Sequence, residues 1–136
     1  MLPLRYSLRW RTASGLILMA VLALTMMPAV WLWPDRDQVV RLFDSFDKLA
    51  HAVVFAILAI WFAGQYRKAS YWRIALGLLA FGVFIELCQR LVGYRTAEWL
   101  DVVADGVGIV IGLSVSLVGL GGWALRVETW LVDERA

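Results

Sequence analysis

The chain has 136 residues, of which 62% are hydrophobic, whereas soluble domains are about 45–50% apolar. A soluble fold of this length cannot bury so much apolar surface, so the composition excludes an ordinary soluble domain and indicates a membrane protein. The net charge is only +2 and the basic residues are spread over several short segments, which argues against a nucleic-acid partner. The single cysteine, Cys88, excludes an internal disulfide.

Four apolar runs are each close to the length of a membrane-spanning helix, which needs about 20 residues. They lie at residues 13–33, 49–66, 72–92 and 102–123. Only helices and closed barrels satisfy their backbone polar groups within lipid, and these runs lack the alternation of barrel strands. The connections are short, so neighbouring helices should run antiparallel. The sequence therefore predicts an all-α membrane protein, a four-transmembrane-helix bundle that forms a single domain over residues 1–136.

The basic residues predict how the bundle is oriented. Two segments carry Lys and Arg without acidic residues: the N-terminus and the connection after the second run. Their basic residues are Arg5, Arg9, Arg11, Arg67, Lys68 and Arg73. The other two connections mix both signs. Because cytoplasmic loops carry the excess of Lys and Arg, we expect the N-terminus, the second connection and, by parity, the C-terminus in the cytoplasm.

A shorter amphipathic stretch precedes the second run. Val39, Leu42, Phe43 and Phe46 recur at helical spacing, opposite charged residues. This pattern predicts a short amphipathic helix over residues 36–46 that lies on the outer surface of the membrane.

Polar residues collect where three of the predicted helices reach the outer leaflet. The second helix contributes them from its outer end, the third from near its outer end, and the fourth from its first turns. These ligand-binding candidates are Asp47, Lys48, His51, Glu86, Gln89, Arg90, Arg95, Asp101 and Asp105. A carboxylate within the apolar region is costly unless it has a partner, and the set contains both acidic and basic groups. The sequence therefore predicts one mixed-charge polar site at the outer leaflet.

The fourth run places two carboxylates on the same stripe as two glycines. Asp101, Asp105, Gly108 and Gly112 follow the spacing i, i+4, i+7, i+11, which is one face of a helix. A GxxxG pair permits close helix packing. We therefore expect Gly108 and Gly112 to contact a neighbouring helix and both carboxylates to face inward.

Together these segments resemble the VanZ-like family of bacterial integral membrane proteins. The matching pieces are DKLAH at Asp47–His51, Phe55, ELCQ at Glu86–Gln89, Arg95, Asp101 and DGVGIVIG at Asp105–Gly112. The family often has Asn at the position of Asp105. The resemblance implies a small multi-pass protein of the bacterial cytoplasmic (inner) membrane. It also implies a link to antibiotic resistance, since the family's namesake is associated with low-level resistance to the glycopeptide teicoplanin, but it implies no settled biochemical activity.

The first functional hypothesis is that the site binds or handles an amphipathic envelope lipid or a lipid-linked cell-envelope precursor. Lys48, Arg90 and Arg95 would pair with phosphate oxygens. The carboxylates of Glu86, Asp101 and Asp105 would orient those cations or contact ligand hydroxyls.

Two alternatives belong to other classes. In a membrane enzyme acting on a lipid phosphate, His51, Glu86, Asp101 and Asp105 would bind a divalent ion or serve as acid and base. In a structural or partner-docking protein, the polar residues would pair across helices, and the bundle would close as a monomer or form a homo-oligomer. We expect binding rather than catalysis and assign no catalytic residue. No metal-ligand spacing such as HExxH is present, so we also expect no metal ion and no cofactor.

Overall fold

The structure is a computed structural model that describes residues 1–26, 36–92 and 98–133, without the side chains of 36–46, 92, 132 and 133. Within these ranges the chain is helical apart from its N-terminus and short connections. Five helices follow one another: α1 Ser7–Thr25, α2 Arg36–Gln65, α3 Tyr71–Val92, α4 Trp99–Val115 and α5 Trp123–Asp133. A 3₁₀ turn, Lys68–Ser70, precedes α3, and a π-helical turn, Ser116–Leu120, extends α4.

Four helical segments are long and apolar enough to cross a membrane. They are Ser7–Thr25, Asp47–Gln65, Lys68–Leu91 and Trp99–Leu120. Large apolar side chains point outward from them; Leu24 is 68% exposed and Val110 is 65% exposed. In water such contiguous exposure would be unfavourable, whereas lipid solvates it. The prediction of an all-α protein with four potential spanning helices is confirmed for the described residues.

The helix boundaries differ from the predicted runs in two places. Helix α1 begins at Ser7 rather than at residue 13, because arginines in its first turns can extend their charged ends to the interface without interrupting the helix. Its predicted outer end, at residues 27–33, lies outside the described residues. The predicted amphipathic segment, 36–46, is helical but runs unbroken into the second spanning helix. No Pro or Gly separates the two, and the side chains that would test its surface position are not described.

The fourth spanning segment ends at a pair of glycines. The π-helical turn stops at Leu120, and Gly122 has φ +72°, a left-handed conformation that favours glycine. Trp123, predicted as the last residue of the fourth run, instead begins the separate helix α5.

Helices α2 and α4 make the most extensive contact in the bundle. Gly108 lies against the backbone of Ala52, and Gly112 lies against Ala56 and Ala59. A methyl group at either glycine would overlap with a backbone carbonyl of α2. The glycines therefore permit the two helices to approach closely, and this approach fixes which face of α4 meets α2.

Helix α5 is tied to the N-terminal segment at the end of the bundle where α1 begins. The Glu128 carboxylate accepts hydrogen bonds from the backbone N–H groups of Arg5 (2.7 Å) and Tyr6 (3.0 Å) and from the indole N–H of Trp10 (2.8 Å). Burial alone would raise the pKa of Glu128, but these hydrogen bonds and the positive charge of Arg5 outweigh it and hold the pKa below its ordinary value. The indole rings of Trp10, Trp61 and Trp123 pack beside it, with centroids 5.4–5.6 Å apart.

Candidate functional site: a buried polar cluster at one end of the bundle

A polar cluster lies at the opposite end of the bundle from Glu128. Helices α2 and α4 run in the same direction, since Gly108 lies beside Ala52 and Gly112 beside Ala56, and α3 runs opposite to both. The first turns of the spanning part of α2, the last turns of α3 and the first turns of α4 therefore meet. Five of the side chains there are between 1% and 7% exposed: His51, Glu86, Gln89, Asp101 and Asp105. We call these five residues, together with the half-buried Asp47, the polar cluster.

The centre of the cluster is a hydrogen bond between α2 and α4. His51 Nδ1 lies 2.9 Å from Asp105 Oδ1, and both side chains are buried. Gly108, one turn further along α4, packs against Ala52, the residue next to His51. The close helix approach therefore places the imidazole and the carboxylate in contact. When the Asp105 carboxylate accepts from Nδ1–H, the lone pair of the imidazole is on Nε2.

Helix α3 closes over the other side of Asp105. Gly82 faces the second carboxylate oxygen, Oδ2, and a methyl group at this position would collide with it. Phe55 lies beside the same glycine. Asp105 is thus enclosed by all three helices, which accounts for its 1% exposure.

Two buried carboxylate oxygens in the cluster have no hydrogen-bond partner among the described residues. They are Glu86 Oε1 and Asp101 Oδ1. Buried polar atoms are nearly always hydrogen-bonded, and an uncompensated buried carboxylate costs several kcal/mol. These two atoms mark the places where a bound hydrogen-bond donor or cation would be accommodated.

The two described basic candidates, Lys48 and Arg90, lie at the rim rather than in the buried part. Lys48 Nζ contacts Glu98 Oε2 at 2.8 Å, and both side chains are partly exposed. Arg90 is exposed, with its guanidinium carbon 5.7 Å from the centre of the Trp99 ring. In the described buried part, the carboxylates of Glu86, Asp101 and Asp105 therefore outnumber the single imidazole of His51.

One member of the polar cluster, Gln89, has its hydrogen-bond partner on α1. Gln89 is buried, but its side-chain N–H donates to the backbone carbonyl of Thr25 at 3.2 Å, so it joins α3 to the end of α1. Arg95 lies outside the described residues.

A possible set of metal ligands differs from the one considered from the sequence. Asp47, His51 and Asp101 each offer one donor atom, and these atoms lie within 4.8 Å of one another. Asp47 was not among the metal candidates, because its distance from the first turn of α4 is a tertiary property. Of the earlier candidates, Asp105 contacts Nδ1 of the imidazole.

Buried polar groups also lie at the other end of the bundle, and the sequence does not predict them. Gln65 is 1% exposed and its amide donates to Ser14 at 3.1 Å, while Glu128 is 4% exposed. Their only sequence signal is a polar residue at the margin of an apolar run. Each Glu128 oxygen accepts a hydrogen bond. The hydrogen bonds within the protein therefore explain why this carboxylate is buried.

A protein-family model matches most of the chain. Comparisons with curated proteins and with solved structures find no significant similarity. The family model described as VanZ/LLP1 matches residues 4–120, a range that includes all four potential spanning helices and the whole polar cluster. The resemblance drawn from the sequence is thereby confirmed. Because the match covers most of the chain, the protein belongs to the VanZ/LLP1 family.

Proposed function

We propose that this protein binds an amphipathic envelope lipid or a lipid-linked cell-envelope precursor through the polar cluster, at the outer leaflet of the bacterial cytoplasmic membrane. The observation that carries this proposal is the pair of buried oxygens on Glu86 and Asp101 that have no partner among the described residues, with Lys48 and Arg90 at the rim. A membrane protein retains buried carboxylates near an interface when they have a role that compensates their cost.

The arrangement suits a ligand with hydrogen-bond donors and a phosphate. Glu86 and Asp101 would accept hydrogen bonds from hydroxyl or ammonium groups that enter the cluster. Arg90 follows Glu86 by one helical turn, about 6 Å along α3, and is exposed. It would therefore contact a phosphate nearer the rim, where arginine binds in bidentate fashion.

The outer-leaflet position rests on the distribution of Lys and Arg, which favours a cytoplasmic N-terminus. A lipid-linked precursor is among the proposed ligands because the VanZ-like family is associated with teicoplanin resistance through its namesake.

The test is a lipid-binding measurement on the full chain in nanodiscs with EDTA present. We expect enrichment of a phospholipid whose headgroup has a primary ammonium or a sugar over phosphatidylcholine, whose choline group has no N–H or O–H donor. Glu86→Ala should reduce this preference about 10–100-fold, since a hydrogen bond to a charged group contributes about 1.5–3 kcal/mol. Leu87→Ala is the matched control, because Leu87 is adjacent but 52% exposed on the outside of the bundle. Equal enrichment in wild type and Glu86→Ala would contradict the proposal.

A second candidate, an enzyme acting on a lipid phosphate, is favoured by the hydrogen bond between His51 and Asp105. A carboxylate that orients an imidazole is the arrangement of a general base. Release of phosphate from the bound lipid, lost in His51→Gln, would support it. If instead the variants only lower thermal stability, the polar residues act in packing.

A further inference from the structure

The donor atoms of Asp47, His51 and Asp101 converge from two helices. Asp47 and His51 are one turn apart on α2, and Asp101 is in the first turn of α4. One donor atom from each lies within 4.8 Å of the others. Ligands on opposite sides of a divalent ion stand about 4–5 Å apart when each is about 2.0–2.6 Å from it. From this geometry we propose that the three residues form a site for a divalent transition-metal ion, of the Zn²⁺ or Mn²⁺ type.

The chemistry of the three side chains selects this class of ion. Imidazole nitrogen suits zinc and other transition metals, and carboxylate oxygen suits harder ions such as manganese. One histidine with two carboxylates is a three-ligand set that leaves a coordination position for another molecule. A site for calcium or magnesium would consist of oxygen ligands alone.

The His51 ring is already held in the orientation that a metal ligand needs. Its Nδ1 is hydrogen-bonded to Asp105 Oδ1 at 2.9 Å, which leaves Nε2 for the ion. Metal-binding histidines nearly always donate their second ring N–H to a carboxylate or carbonyl in this way, and the contact fixes the tautomer and increases the basicity of the ligand. Asp105 is therefore a positioning residue for the site.

An independent observation also points to a bound cation. Asp101 is 6% exposed and Glu86 is 4% exposed, and each has a carboxylate oxygen without a partner in the described part of the chain. Together with Asp105 they place three carboxylates around one imidazole in the buried region. A buried charge without its partner is strongly destabilising, so an excess of buried negative charge requires compensation. A divalent ion beside His51 supplies it.

Metal binding by the three residues does not depend on the proposed lipid ligand. Asp47 is only half-buried, so an ion can exchange from the interface without a lipid. A bound ion would also add positive charge to an acidic cluster and so favour a phosphate group. The lipid measurement above is made in EDTA and the metal measurement without added lipid, so each can fail while the other succeeds.

The test is a Zn²⁺ titration of the EDTA-treated full chain in detergent, followed by calorimetry, with metal analysis after dialysis. We expect one Zn²⁺ per chain and a rise in unfolding temperature with Zn²⁺ concentration. His51→Ala and Asp101→Asn should each weaken binding at least tenfold. Glu98→Gln, an acidic position at the rim that contacts Lys48, is the control and should bind as wild type does.

A spectroscopic readout separates ligation from a change in folding. Co²⁺ in place of Zn²⁺ should give visible absorption bands that shift in His51→Ala. If that variant does not fold, Asp47→Asn at the half-buried position serves the same purpose and should weaken Zn²⁺ at least tenfold. No stoichiometric Zn²⁺ or Mn²⁺ in wild type, or unchanged affinity in the folded variants, would overturn the site.

Discussion

The buried carboxylates of this protein differ in the groups that surround each of them. Glu128 has a hydrogen-bond donor for each oxygen, from Arg5, Tyr6 and Trp10. Asp105 contacts His51 through one oxygen and the Gly82 face of α3 through the other. Glu86 and Asp101 each keep an unpartnered oxygen among the described residues. Among the described carboxylates, Glu86 and Asp101 are therefore the two that have an oxygen available to a bound donor or cation.

The residue-scale prediction concerns Asp105. Asp105→Asn keeps an oxygen that accepts from His51, so we expect a stability close to wild type. Asp105→Ala removes the acceptor and should cost about 1–2 kcal/mol, the range for hydrogen bonds between membrane helices. Unfolding of both variants in mixed detergent micelles measures the difference. Equal destabilisation by Asn and Ala would show that the charge of Asp105, rather than its acceptor oxygen, stabilises the contact.

At the scale of elements, the contact between α2 and α4 positions the site. Gly108 and Gly112 sit against the backbone of α2, on the same stripe of α4 as Asp101 and Asp105. Helix α3 adds Gly82 from the third side. The glycines therefore determine how α4 is rotated about its axis, and this rotation decides which side chains reach His51.

Adding one methyl group to this contact should disturb the site from a distance. Gly108→Ala would collide with the carbonyl of Ala52, so the helices must separate, lowering stability and weakening the bond between His51 and Asp105. Gly106→Ala is the control on the same helix, because nothing lies within 4 Å of its added methyl. It should be neutral or stabilise by about 0.5–1 kcal/mol through helix propensity. Thermal unfolding that ranks the two variants in the reverse order would contradict this account of the contact.

At the scale of the whole molecule, the two ends of the bundle differ in how their buried polar groups are hydrogen-bonded. One end is closed by the N-terminal segment and α5, held by Glu128, by the three indole rings and by a hydrogen bond from Leu2 N–H to Gln65 O at 2.8 Å. The other end has the polar cluster, where one oxygen each of Glu86 and Asp101 has no partner in the described part of the chain. Polar groups that hydrogen-bond to one another stabilise the fold, whereas polar groups near an interface that lack a hydrogen-bond partner are available to a ligand.

Acid should reduce the stability that Glu128 contributes at the closed end of the bundle. The pKa of Glu128 is lower in the folded protein than its ordinary value of 4.5. Its contribution to stability is therefore fully present above 4.5 and is lost as the pH falls through the folded pKa. Comparing thermal unfolding of wild type and Glu128→Gln from about pH 7 to about pH 3 should show a difference that shrinks with acidification. A difference independent of pH would mean that Glu128 acts by shape rather than by charge.

The sequence by itself determined the four potential spanning helices, the family and the end of the bundle at which Asp47, His51, Glu86, Asp101 and Asp105 meet. The helices follow from the length of the apolar runs, the meeting point follows from position along helices that alternate in direction, and the family follows from the resemblance of the motif residues. Only the tertiary structure decided the partners: His51 with Asp105, Lys48 with Glu98, Gln89 with the end of α1, and no described partner for one oxygen each of Glu86 and Asp101. Partner choice depends on the rotation and spacing of helices, which the α2–α4 glycine contact sets between residues far apart in the chain. The placement of α5 on the N-terminal segment through Glu128 is non-local for the same reason.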